Sequence, residues 1–137
     1  MDYPSLYPGK IRLMLKQLIL VFIGGGLGSV LRYLVSKNLN FENVLIPFGT
    51  FTVNILGSLL LGFILGIAAR TEIFNSNTVL LFAVGFCGGF TTFSSFAFEN
   101  QALLRSGDYL NFFFYAFGSI ILGILAVFLG LFLSKLT

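Results

Sequence analysis

The chain has 137 residues, 57% of them apolar and only 9% charged, where an ordinary soluble domain carries about 25% charged residues. Such a composition excludes a soluble globular domain and a disordered chain. A net charge of +3 from 8 basic and 5 acidic residues is too thin for a nucleic-acid-binding face. Histidine is absent, which removes the commonest metal ligand and the commonest general acid/base, and the single cysteine, Cys87, permits no intrachain disulfide.

Residues 1–14 read as an irregular tail holding Pro4, Pro8 and Gly9 with Lys10 and Arg12. No small-x-small cleavage site follows, so the first apolar stretch is retained rather than removed as a leader. The rest, 15–137, reads as one all-α membrane domain of four helices, at about 15–37, 46–70, 77–99 and 109–134. The first spans a bilayer only if Lys16, Arg32 or Lys37 snorkels toward headgroups; the other three fall in long stretches free of charge. Loops this short force neighbouring helices to run antiparallel.

The first helix carries Gly24 and Gly28 four residues apart, and the second carries the stripe Ser58, Gly62, Gly66. Gly85 and Gly89 repeat the spacing on the third helix, as do Ser119 and Gly123 on the fourth. Small residues at this interval let helix backbones approach closely in lipid. Arg32, the one charge inside the first apolar segment, either snorkels or contributes to an electropositive mouth. On the second helix, Asn54 lies deep in an uncharged run, where its amide either joins helices or offers two donors to an anion.

The third helix holds Gly88-Gly89 and then Thr91-Thr92 and Ser94-Ser95 near its middle. Two adjacent glycines weaken a helix by about 1 kcal/mol each. Either the helix breaks there and frees the carbonyls of Gly88 to Thr91 toward a cation, or it stays continuous with its hydroxyls bonded back to i−4 carbonyls. Phe93 and Phe96 fall on one helical face beside Thr92 and Ser95. Their positive ring edges can meet a dehydrated anion without a fixed charge that would trap it. The basic residues divide five to three between the two sides, too weak a bias to fix one orientation. That bias permits insertion in both orientations and an antiparallel dimer of identical subunits; four helices alone are too few to wall a pore, so oligomerisation is expected.

The strings Gly25-Gly26-x-Gly28-x-x-x-Arg32-Tyr33, Gly49-Thr50-x-x-Val53-Asn54-x-x-Gly57 and Gly85-Phe86-Cys87-Gly88-Gly89-x-Thr91-Thr92-Phe93-Ser94-x-Phe96 resemble the Fluc (CrcB) fluoride channels. The likeness runs through all four helices in order, and the third string is the most specific. It implies a dual-topology antiparallel homodimer with two fluoride pores and a central structural sodium ion held by the backbone carbonyls of Gly88 and Thr91. It also implies pore positions at Asn54, Phe93 and Phe96, with Thr50, Thr92 and Ser95 beside them. Arg32 falls at the vestibule, Tyr115 and Ser119 on a polar track, and Glu99 near the pore end. Gly123 departs from the pattern where a further hydroxyl is expected, and the first sixteen residues exceed what the family needs.

The expected activity is passive fluoride export through the cell membrane, with fluoride, lipid and a second copy of the chain as partners and no nucleic acid. The alternative is a small dual-topology, proton-coupled exporter of small cations. Such a machine needs a carboxylate inside the membrane, whereas Asp2, Glu42, Glu72, Glu99 and Asp108 all read as lying at or beyond helix ends. An enzyme would need an acid/base pair or a metal site within the helices, and neither is present in the sequence.

Overall fold

The computed structural model describes residues 8–40, 46–72 and 74–137. Asp2 and Glu42 lie outside the described residues. Four helical stretches, Gly9–Leu39, Phe48–Ala68, Ser76–Arg105 and Tyr109–Leu133, are long and apolar enough to cross a membrane. No strand occurs among the described residues. The elements in chain order are α1 (Pro8–Leu39), α2 (Phe48–Ala68), α3 (Ser76–Val79), a π-helical segment (Leu80–Cys87), α4 (Gly88–Phe90), α5 (Phe93–Arg105) and α6 (Tyr109–Leu133).

Helix α1 spans Pro8–Leu39 among the described residues, so the second half of the expected irregular tail is helical. Lys10, Arg12, Leu13, Met14 and Leu15 are good helix formers.

The third span runs to Arg105, beyond the expected end at 99. What stops it is Gly107, at φ 78°, the positive-φ residue after the cap. Its N–H donates to the Leu104 carbonyl and that of Asp108 to Leu103, the paired bonds of a Schellman motif. Asp108 then caps α6, its carboxylate accepting from the Asn111 backbone N–H at 3.3 Å. One short turn thus closes one helix and opens the next.

Helix α2 packs along α6, and α1 lies across the π-helical segment and α4. Glycines set both approaches. A Cβ on Gly62 would collide with the Val127 carbonyl, and one on Gly130 with the Leu59 carbonyl. At the other crossing, Gly24 faces the Leu81 carbonyl, Gly28 the Phe86 carbonyl and Gly89 the backbone of Gly25. Most large apolar side chains point outward, Phe22 at 81% exposure and Phe98 at 72% among them, as lipid-facing helices require.

Candidate functional site

Midway along the third span, Thr91 (φ −84°, ψ 157°) and Thr92 (φ −148°, ψ 120°) have extended backbone between α4 and α5. Two extended residues release backbone groups that a helix would have paired, and two other helices and nearby hydroxyls take them up. The Asn54 amide of α2 donates to the Thr92 carbonyl at 3.1 Å, while its oxygen accepts from the Thr92 N–H at 2.8 Å. From α1, Arg32 Nε donates to the Gly89 carbonyl at 3.0 Å, joined by the Ser29 hydroxyl at 3.4 Å. Locally, the Thr91 hydroxyl returns to the Cys87 carbonyl at 2.9 Å, the plain i−4 bond that the sequence also allowed. The Thr92 hydroxyl accepts from the Ser95 N–H and donates to the Ser95 hydroxyl, capping α5. None of these bonds uses the carbonyls of Gly88 or Thr91.

Asn54 is therefore not the free donor pair that its position in the sequence offers. One amide hydrogen is committed to the Thr92 carbonyl, and only the other remains for an ion. Arg32 also differs from a side chain stretched to the headgroups, because it is tied to the end of α4.

Beside the extended pair lies a groove of about 440 Å³. Asn54, Gly57, Ser58 and Leu61 line it from one face of α2, at spacings of three and four residues. Gly88, Thr91, Thr92, Phe93 and Phe96 line it from the third span. Gly57 is small because the Thr91 methyl fills the place of its Cβ. The Phe93 and Phe96 rings stand 5.9 Å apart at 46°, and Phe93 is 79% exposed. Ser95 and Arg32 are not among the lining residues.

Phe96 connects this groove to a second polar cluster, with its ring 5.3 Å from that of Tyr115. There the Glu99 carboxylate accepts from the Thr50 hydroxyl at 2.6 Å and from the Tyr115 hydroxyl at 2.7 Å. Thr50 and Tyr115 are each only 2% exposed. Glu99 thus lies inside the third span and not at its end, which corrects the reading that no carboxylate sits within the helices. The correction follows from α5 continuing for six residues past it. One turn beyond Tyr115, the Ser119 hydroxyl is buried without a partner among the described residues. Position 123 has no hydroxyl, but Ser58 Oγ lies 3.9 Å from where a Gly123 Cβ would be.

Sequence reasoning missed Ser29 and read Ser58 only as a packing residue. Helical spacing was the available signal: Ser29 is three residues before Arg32, and Ser58 four after Asn54, each on its partner's face. The π-helical winding of Leu80–Cys87 had no visible sign in the sequence.

The chain matches the family described as CrcB-like protein, Camphor Resistance (CrcB), over residues 19–131. It is 48% identical over 121 residues to a fluoride-specific ion channel of Gloeothece citriformis, covering 87% of this chain and 97% of that one. A fluoride-specific ion channel of Phocaeicola vulgatus is 48% identical over 122 residues, 88% of this chain and 100% of its own. One from Chlorobaculum tepidum is 44% identical over 124 residues, 90% and 98% of the two chains.

Proposed function

This chain belongs to the CrcB-like family, and from that membership we propose that it is a fluoride-selective channel that passively exports fluoride from the cell. It is a multi-pass membrane protein of the cell membrane. The observation that carries the proposal is the extended pair Thr91-Thr92, fixed by Asn54 and opening on a groove edged by Phe93 and Phe96. Fluoride holds its hydration shell tightly, so a selective path must replace water with many weak donors and still release the ion. The Phe93 and Ser94 N–H groups that open α5, the remaining Asn54 amide hydrogen and the edges of the two rings are such donors. The hydroxyls of Ser58 and Ser119 extend the set, whereas the Tyr115 hydroxyl is spent on Glu99.

The pathway is completed by a second, antiparallel copy of the chain. Supporting this are the 79% exposure of Phe93 and the openness of the groove, which one subunit leaves unwalled. A lone cysteine placed in the loop around Gly107 is expected to be labelled from both faces of the membrane; labelling from one face alone excludes dual topology.

A structural sodium ion fits the carbonyls of Gly88 and Thr91. With that of Phe90, they are the carbonyls that the other bonds at the extended pair leave unused, and a Cβ on Gly88 would meet nothing within 4 Å. Hard cations take oxygen ligands, and broken helices supply them in transporters. Bound there, such an ion would supply positive charge that offsets carbonyl dipoles left unpaired in a dry interior.

Glu99 gives a proton-coupled exporter a carboxylate within a span, half-buried, but both carboxylate oxygens are already engaged by hydroxyls. One assay separates the two activities. Liposomes holding only this protein are expected to release fluoride, not chloride, with no proton gradient imposed, and to stop when sodium is exhaustively replaced by a large organic cation. Efflux that requires a proton gradient overturns the channel reading, and undiminished flux without sodium removes the sodium site. In the same vesicles, Phe93→Ile or Phe96→Ile is expected to lower fluoride flux at least tenfold while the protein stays assembled. Normal flux in both variants would make the rings packing residues only.

A further inference from the structure

We propose that the end of α2 and α6 forms a binding site for one anionic phospholipid, a role separate from the ion pathway and independent of which ion is carried. Helices α2 and α6 are two spans apart in the chain, so they run parallel and end at the same edge. Arg70 follows the end of α2 and Lys135 the end of α6. A groove of about 480 Å³ opens there, with Arg70 and Lys135 as its charged residues and no carboxylate side chain in its lining among the described residues. Its inner wall is Gly66, where Ser134 packs so closely that a Cβ would collide with it. Its outer wall is Phe128 and Phe132, 65% and 57% exposed.

The two cations are held differently. Arg70 Nη1 donates to the Ser134 carbonyl at 2.6 Å, which fixes the guanidinium over the groove and leaves four of its five N–H donors unspent on that bond. Lys135 is exposed, a point charge on a flexible stem. Guanidinium and ammonium together match a phosphate, while the aromatic wall below them, one to two helical turns toward the membrane interior, matches acyl chain. A free phosphate would use only the mouth. The apolar wall therefore favours a lipid, and the absence of acidic side chains from the lining favours an anionic headgroup over a zwitterionic one. Lys10, Arg12 and Lys16 start α1 on this same side of the membrane, where they add general attraction to an anionic surface without a cavity of this kind.

The test uses the full chain in detergent, titrated with phosphatidylglycerol or phosphatidylcholine and weighed intact by native mass spectrometry. Phosphatidylglycerol is expected to be retained at least tenfold more strongly. Lys135→Gln, which leaves the Arg70–Ser134 bond untouched, should weaken it severalfold, and Arg70→Gln with Lys135→Gln at least tenfold. Neutralising Lys10, Arg12 and Lys16 together should leave it unchanged. Equal retention of the two lipids, or full retention by Lys135→Gln, overturns the proposal. So does displacement by inorganic phosphate at matching concentration, which would make this a free-anion site. Adducts on the monomer that are missing from the dimer would show a second copy covering the groove, with the same consequence.

Discussion

Asn54→Asp is expected to reduce fluoride flux by at least a hundredfold in liposomes, from protein that still assembles. Two effects act in the same direction. The native amide donates to the Thr92 carbonyl and accepts from the Thr92 N–H. A carboxylate keeps the second bond but turns a negative oxygen toward the Thr92 carbonyl, and a buried acceptor left without its donor costs about 1–3 kcal/mol. The added charge also repels fluoride: at about 4 Å and an effective dielectric near 20, two unit charges repel by about 4 kcal/mol. Since about 1.4 kcal/mol is a factor of ten, the repulsion alone exceeds the predicted loss, and the lost bond reaches it at the upper end of its range. Asn54→Ala separates them, because it removes the clamp and adds no charge. If Asn54→Asp conducts at the native rate, Asn54 neither shapes nor lines the pathway.

Gly28→Leu is expected to abolish folding, whereas Gly26→Ala, two residues away, is expected to be neutral or stabilising. A Cβ on Gly28 would run into the Phe86 carbonyl and stand 2.8 Å from the Phe90 N–H, both backbone atoms that cannot swing aside. Separating α1 from the third span would also pull Arg32 and Ser29 off the Gly89 carbonyl. The loss should exceed about 4 kcal/mol, the range reserved for severe overpacking and broken buried networks. At Gly26 a Cβ would meet nothing within 4 Å. Replacing a helical glycine by alanine there gains up to about 1 kcal/mol of helix propensity. Yield of monodisperse protein and thermal unfolding in detergent measure both. A well-folded Gly28→Leu protein would show that this crossing is not tight.

The two glycines look alike in sequence, since Gly24-Gly25-Gly26-Leu27-Gly28 offers four candidates and spacing selects Gly24 with Gly28. Spacing was sufficient there because close helix packing repeats with the helix period. It was not sufficient at Gly123, where only an ordinary contact to Ser58 is found, nor did it single out Gly130, which lies against α2. Glu99 shows a different failure. Charge-free runs were used to bound the helices, so a carboxylate could only be read as a boundary. In the structure two hydroxyls from other helices satisfy it, and that lets the helix continue past it.

The sequence by itself determined the four membrane-crossing helices, their alternation and the short loops, because burial in lipid is decided by local hydropathy. It also marked Gly88 to Phe96 as the unusual segment, since glycine and threonine propensities are properties of the residues themselves. Only the tertiary structure decided what that segment does. Whether its backbone stays helical depends on who satisfies the released N–H and C=O groups, and those partners, Asn54 and Arg32, lie 38 and 57 residues away in the chain. In a dry interior an unpaired backbone group costs several kcal/mol, so extended residues at this depth persist only where distant side chains arrive to pair them.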